Sequence, residues 1–126
     1  MVEAACAGDA KRVLSYLTSG VHPDARNDHD VSALECAASE CREQAVRVLL
    51  EHGSHPNDDT GRSDALDEAV AYRTETGDWC SDGPKIADML IRAGAPLLDP
   101  ERQCWGPLHM AHSPGAVRFL LSRGAN

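Results

Sequence analysis

Histidine and cysteine are the residues of this chain with the most specific chemistry, because both bind metals and both take part in catalysis. The sequence contains six histidines and five cysteines. His52 and His55 are three residues apart, as are His109 and His112, and Cys104 precedes the second pair. A helix-ending glycine lies between the first two, and zinc requires its nitrogen ligands within about 2.1 Å of the metal. We therefore expect no metal site and no cofactor.

The cysteines lie at positions 6, 36, 41, 80 and 104, and no two of them form a Cys-x-x-Cys motif. The first residues, MVEAACAGDAKR, lack the basic segment followed by an apolar one that marks a signal peptide. Because disulfides are rare in reducing compartments, we predict reduced thiols in a cytoplasmic protein. Cys36 lies in an apolar run and is a predicted core residue. Cys80 lies in a polar stretch and is the best candidate for an exposed, reactive thiol.

No catalytic motif accompanies these residues. The sequence has no Gly-x-Ser-x-Gly, phosphate-binding loop, His-Glu-x-x-His or glycine-rich dinucleotide-binding turn. Carboxylates are abundant, but on a net-acidic surface they carry little information. We therefore predict that the protein is not an enzyme and has no catalytic residues.

Length and composition indicate the broad class of protein. A chain of 126 residues is the size of one domain, and no apolar stretch approaches the roughly 20 residues needed to span a bilayer. A net charge of -8 argues against nucleic acid or an anionic membrane as a partner. Aromatic residues make up only 4% of the chain, although 42% of it is apolar. A core of such small side chains favours closely packed helices, so we predict an all-α fold.

Four segments of the chain end alike, and this repetition predicts the elements that position the residues above. Each is an apolar helical stripe closed by glycine, which suits the left-handed backbone that often follows a helix. A second, shorter helical pattern precedes the last three segments, at residues 32–38, 64–70 and 106–112. The four segments are VLSYLTSG, VRVLLEHG, ADMLIRAG and VRFLLSRG, which end at Gly20, Gly53, Gly94 and Gly124.

The spacing of these patterns divides a single domain, residues 1–126, into four units. The first unit is truncated at its front, the third carries nine extra residues (Arg73 to Ser81), and the fourth is three residues shorter. Each unit is predicted to form a helix, a tight turn, a second helix and a polar loop. The predicted helix starts are Ser32, Asp64, Pro107 and Ser113 with Pro114. The units are roughly 1–26, 27–58, 59–100 and 101–126.

These units resemble ankyrin repeats. The resemblance is carried by the 33-residue spacing of the first two closing glycines and by GPLHMAH, LLEHGSHPN, LLSRGAN and two alanine pairs. The family's TPLHxAA motif is best kept at residues 106–112, with Gly106 in place of threonine and His112 in place of the second alanine. The resemblance implies a solenoid of stacked helix-turn-helix units joined by hairpin-like loops. It also implies protein binding through the concave side of the stack.

Three aromatic residues are predicted to anchor a protein partner, because they lie outside the second helices. Trp105 precedes the first helix of the fourth unit, and Tyr72 lies near the end of the first helix of the third. Trp79 lies in the nine-residue insertion. The alternatives are that Trp79 folds back onto its own loop and that Trp105 packs on the neighbouring loop. Tyr16 and Phe119, on second helices, are predicted core residues.

Charge is distributed unevenly along the chain. Residues 58–82 hold eight acids and two arginines, whereas residues 102–126 hold three arginines and no acid. The third unit is therefore predicted to form an acidic ridge that steers a basic patch of a protein partner. The alternative is a solvated face that only keeps the protein soluble. The predicted steering residues are Asp58, Asp59, Glu68 and Asp78.

Together these observations predict a protein–protein interaction module that presents a rigid concave surface. Two alternatives remain open. One is self-assembly, or a structural stack, through a C-terminal edge around Val117, Leu120 and Leu121, with no polar capping repeat beyond it. The other is a regulatory fragment of a larger enzyme.

Overall fold

The structure, a computed structural model, describes residues 1–56, 65–71, 74–95, 97 and 107–124. Within these residues every regular element is a helix, and the strand-like pairing is one isolated bridge between Arg26 and Ser32. The predicted all-α fold is therefore confirmed. The helices in chain order are α1 (Val2–Cys6), α2 (Ala10–Thr18), α3 (Ala33–Ser39), α4 (Glu43–Glu51), α5 (Ala65–Ala71), α6 (Gly83–Arg92), α7 (Pro107–Met110) and α8 (Pro114–Ser122).

These helices form four consecutive pairs. Each odd-numbered helix contacts the even-numbered helix that follows it. Between pairs, α1, α3, α5 and α7 contact one another in that order, and α2, α4, α6 and α8 do the same. Every pair therefore lies against its neighbours along the chain and falls inside one predicted unit, although the unit boundaries themselves stay a prediction.

Side chains cap the helix starts that the sequence indicated. The Ser32 hydroxyl accepts a hydrogen bond from the Glu35 N–H at 3.1 Å, and the Ser113 hydroxyl accepts one from the Ala116 N–H at 3.2 Å. The predicted prolines are the first residues of α7 and α8, where their missing N–H leaves no bond unmade. These starts are confirmed, whereas Asp64 lies outside the described residues.

The predicted glycines close the second helices. Each of these glycines has a left-handed backbone, which costs a residue with a Cβ more than it costs glycine. The φ angles are 103° at Gly20, 91° at Gly53, 107° at Gly94 and 95° at Gly124.

Small side chains fill much of the space between neighbouring pairs. Eleven of the twenty-one buried apolar residues in the described part of the chain are alanine. Larger side chains complete this core, among them Leu34 and Leu66 on first helices and Leu49 on a second helix. These buried residues form one cluster that includes side chains from all four helix pairs. Tyr16 and Phe119 are only half-buried and pack against its surface.

The cysteines overturn one expectation from the sequence. Cys6 on α1 is bonded to Cys36 on α3, and Cys41, between α3 and α4, is bonded to Cys80, ahead of α6. The prediction of reduced thiols is wrong for these four residues, as is that of a reactive thiol at Cys80. Cys104 lies outside the described residues. The odd count and wide spacing concealed the pairing, because contact between consecutive helix pairs brings together residues that are far apart in sequence.

Each disulfide joins one helix pair to the next. The bonded residues are 30 and 39 positions apart, so each bond closes a long loop and restricts the unfolded chain. Disulfides persist mainly in oxidising compartments. The argument from reduced cysteines no longer supports a cytoplasmic location, which stays a prediction.

The loops that follow α2 and α4 are also joined to each other. The Ser54 hydroxyl donates to the Pro23 carbonyl at 3.0 Å, and the His55 N–H donates to an Asp24 carboxylate oxygen at 2.8 Å. The His55 ring contacts the other oxygen of the same carboxylate. The His22 ring accepts the Asp24 N–H at 3.0 Å. One aspartate thus lies between two histidines of consecutive loops and fixes their relative position.

Removing either disulfide is expected to destabilise the chain. We expect the paired replacements Cys6→Ser with Cys36→Ser, and Cys41→Ser with Cys80→Ser, each to lower the free energy of unfolding by roughly 2–4 kcal/mol. The physical reason is the entropy that the unfolded chain regains when the loop is opened. Urea unfolding followed by circular dichroism measures this difference.

Cys104→Ser provides the matched control, because neither disulfide involves Cys104. It should leave the urea midpoint unchanged. Peptide mapping of the non-reduced protein should recover the Cys6–Cys36 and Cys41–Cys80 linkages. Recovery of these four cysteines as free thiols from air-oxidised protein would contradict the assignment.

Candidate functional site

Three of the seven predicted partner-binding residues lie in the described part of the chain. Glu68 is half-buried on α5, Asp78 is exposed, and Trp79 is half-buried in the connection between α5 and α6. The structure therefore places one predicted steering carboxylate at the surface and one partly inside. The other four residues lie outside the described residues: Asp58, Asp59, Tyr72 and Trp105.

Trp79 is held by contacts within the chain. Its indole N–H donates to the Ala69 carbonyl of α5 at 3.0 Å, and its ring meets Phe119 of α8 edge-on, with the ring centroids 5.5 Å apart. The ring also covers Gly83, where an added Cβ would come within 2.5 Å of the indole. Trp79 thus contacts α5 and α6 of its own helix pair and α8 of the following one. Its role as a partner anchor stays an untested prediction.

Residues 74–78, here called the acidic turn, form a compact hydrogen-bonded structure. The Thr74 N–H donates to the Asp78 carbonyl at 2.7 Å, and the Gly77 N–H donates back to the Thr74 carbonyl at 2.9 Å. The Thr76 hydroxyl donates to the Asp78 carboxylate at 3.0 Å. Glu75 and Asp78 are exposed. The insertion therefore presents two carboxylates on a turn whose backbone is internally bonded.

Two neighbouring residues fasten the acidic turn to the helices. Trp79 ties it to α5, and the disulfide of Cys80 ties it to Cys41 in the turn between α3 and α4. Cys41 has a left-handed backbone, with φ of 59°, and its N–H donates to the Ala38 carbonyl at 3.2 Å. The acidic turn is thus connected by a hydrogen bond to its own helix pair and covalently to the preceding one.

A chain of polar and aromatic contacts connects the same region to α8. The Asp88 carboxylate of α6 pairs with the Arg123 guanidinium at 2.6 Å and with Arg92 at 3.0 Å. The Arg123 guanidinium also lies over the Phe119 ring, 4.9 Å from its centroid, and Phe119 contacts Trp79. Partly exposed contacts of this kind contribute about 0.2–1 kcal/mol each, so their effect is to orient the last helix pair more than to stabilise it.

The histidines singled out in the sequence do not converge. His55 contacts Asp24, whereas His109 and His112 are exposed in and after α7. Among the described residues, no three side chains of histidine, cysteine, aspartate or glutamate are grouped closely enough to hold a metal. The described helices also include none with the length and apolar character required to cross a membrane.

Comparison with known proteins assigns no family, since no protein-family model matches the sequence and no curated protein matches it significantly. The resemblance to ankyrin repeats therefore rests on the motifs and spacings of the sequence. Membership of that family stays a prediction.

Sequence reasoning missed the residues that hold the acidic turn. Gly83 and Phe119 receive the Trp79 ring, and Cys41 binds Cys80. A weak signal was present, because a glycine four residues after a tryptophan leaves room for the ring. The contact with Phe119 has no sequence signal, because the two residues are forty positions apart.

Filling the space beneath Trp79 is expected to disturb the site. In a Trp105→Phe background, which leaves Trp79 as the single tryptophan, Gly83→Ala should lower the free energy of unfolding by roughly 1–3 kcal/mol. The rigid indole must move away from the new methyl group. The emission maximum of Trp79 should therefore shift, and urea unfolding measures the loss of stability.

Gly115→Ala is the matched control, since Gly115 also lies near the start of a second helix and beside Trp79. A Cβ there would be 3.8 Å from the Trp79 Cβ, an ordinary contact, and alanine is the better helix former. This variant should keep the parent emission maximum and be at least as stable as the parent. Equal losses in the two variants would contradict the packing described for Trp79.

Proposed function

We propose that the chain is an ankyrin-type repeat domain that binds a protein partner bearing a basic patch. The observation that carries the proposal is the acidic turn, which exposes Glu75 and Asp78 and is fastened through Trp79 and the Cys41–Cys80 disulfide. The proposal involves no catalytic step and no cofactor.

Fixed geometry supports binding because it lowers the entropy lost when a complex forms. Ordering a mobile side chain or loop at an interface costs roughly 0.5–1.5 kcal/mol for each flexible side chain immobilised. The backbone bonds of Thr74, Gly77 and Asp78 are made within the free chain. A partner that contacts the acidic turn would therefore meet a surface already in its bound form.

Charge supports a basic partner. The two exposed carboxylates lie in a segment, residues 58–82, that holds eight acids and two arginines. A surface of one sign accelerates encounter with the opposite sign and disfavours partners of the same sign. Exposed ion pairs are screened by salt, so the complex should weaken as ionic strength rises.

The geometry of Trp79 changes the role proposed for it. Its N–H and much of its ring are engaged inside the chain, so we assign it to positioning the acidic turn. Tyr72 and Trp105 stay the proposed aromatic anchors of the partner, and Asp58, Asp59 and Glu68 stay proposed steering residues. The partner would then lie along the first helices and the adjoining loops of the third and fourth pairs, on the side that the family resemblance implies.

Affinity capture tests this function. The 126-residue chain is immobilised, proteins retained at low and high salt are identified by mass spectrometry, and the affinity of the salt-sensitive one is measured in solution. We expect a basic protein that is released at high salt. Glu75→Gln combined with Asp78→Asn should lower its affinity roughly 2- to 10-fold, because two exposed charges are lost.

The control is Asp28→Asn combined with Glu51→Gln, which removes the same charge at two exposed sites of other elements. It should leave the affinity within about twofold of the parent value, in keeping with the small energy of single exposed charges. Capture that is indifferent to salt, or equal losses in both double variants, would contradict the proposal.

A further inference from the structure

The two ends of the helix stack differ in polarity. Positions in the second helices are comparable when they are counted back from the closing glycine. Eight residues before it lie Ala45, Ile86 and Ala116, all at most 1% exposed. In α2 the same position is Arg12, which is exposed. The first pair therefore presents a charged side chain at a position where later pairs bury an apolar one.

The last pair differs in the opposite sense. Three residues before the closing glycine, Leu17, Leu50 and Ile91 are half-buried, whereas Leu121 of α8 is 53% exposed. Seven residues before it, Val13, Val46 and Ala87 are fully buried, whereas Val117 is only half-buried. In each earlier pair these positions are more deeply covered. Val117 and Leu121, here called the apolar edge, are four residues apart and share one face of α8.

An exposed arginine flanks the apolar edge. Arg118 is exposed on α8 and lies three residues before Leu121, so it flanks the same face. Among the described residues Arg118 makes no ion pair, whereas Arg123 is paired with Asp88. Residues 107–124 hold these two arginines and no acid. A partner segment that covers the apolar edge and carries acidic residues at its margins would therefore be favoured by charge.

We propose that the apolar edge binds an amphipathic helix of a partner protein, one with an apolar stripe and acidic flanks. An apolar helix face seated on apolar side chains, with charges paired at the rim, is a recurring mode of recognition. A second copy stacked end to end is disfavoured, because its first pair carries the charged Arg12 at a position that is apolar and buried in later pairs. Two copies joined through their apolar edges would bring two like charges, the Arg118 of each copy, to one interface. The apolar edge uses side chains other than those of the acidic turn and selects the opposite charge.

Two synthetic peptides test the proposal. Both have the same length, the same leucine stripe and a fluorescent label, and they differ in carrying either glutamate or lysine at the flanking positions. Fluorescence anisotropy uses the 126-residue chain carrying Glu75→Gln and Asp78→Asn, which removes the charges of the acidic turn. It should show binding of the glutamate peptide and roughly 10-fold weaker binding of the lysine peptide. Leu121→Gln should weaken the glutamate peptide roughly 10-fold or more, and Arg118→Gln roughly 2- to 5-fold.

Leu14→Gln is the matched control, since Leu14 is the other large apolar side chain exposed in the described residues, at 40%, and lies on α2. It should leave the peptide affinity unchanged, and circular dichroism should show that every variant folds. Absence of binding, equal binding of the two peptides, or an equal loss in Leu14→Gln would overturn the proposal. So would sedimentation showing a dimer of the parent chain that Leu121→Gln dissociates, because the occupant would then be a second copy.

Discussion

Contact between consecutive helix pairs is the constraint on which the rest of this structure depends. The first helices are only four to seven residues long, and helices this short are not stable alone in water. Their buried faces consist largely of alanine, which offers little apolar area for each residue but allows helices to approach closely. Each short helix is therefore maintained by the helices on either side of it.

Several specific contacts of the structure lie where one pair meets the next. Both disulfides, the Asp24–His55 contact and the Asp88–Arg123 ion pair all cross from one pair to another. The acidic turn depends on the same arrangement, because Cys80 reaches back to the preceding pair and Trp79 contacts Phe119 of the following one. Surface features thus take their geometry from the packing of neighbouring pairs.

The sequence predicted the helices and their order, because their signals are local. The glycines that follow the second helices and the serine caps at Ser32 and Ser113 act on the adjacent turn of backbone. It did not predict the cysteine pairs or the position of Trp79. These depend on which side chains of neighbouring pairs face each other, and no single stretch of sequence determines that. The uneven charge was visible in the sequence, but the exposed placement of Glu75 and Asp78 required the structure.

Hydrogen–deuterium exchange of the acidic turn tests most directly the claim that neighbouring pairs hold it in place. The amides of Thr74, Gly77 and Asp78 donate within the turn and should exchange more slowly in the oxidised chain than in an isolated peptide of residues 70–84. Reducing the disulfides should accelerate these amides more than those of α4, because the bond between Cys41 and Cys80 is lost. Exchange of the turn at the rate of the isolated peptide, in both the oxidised and the reduced chain, would contradict the account.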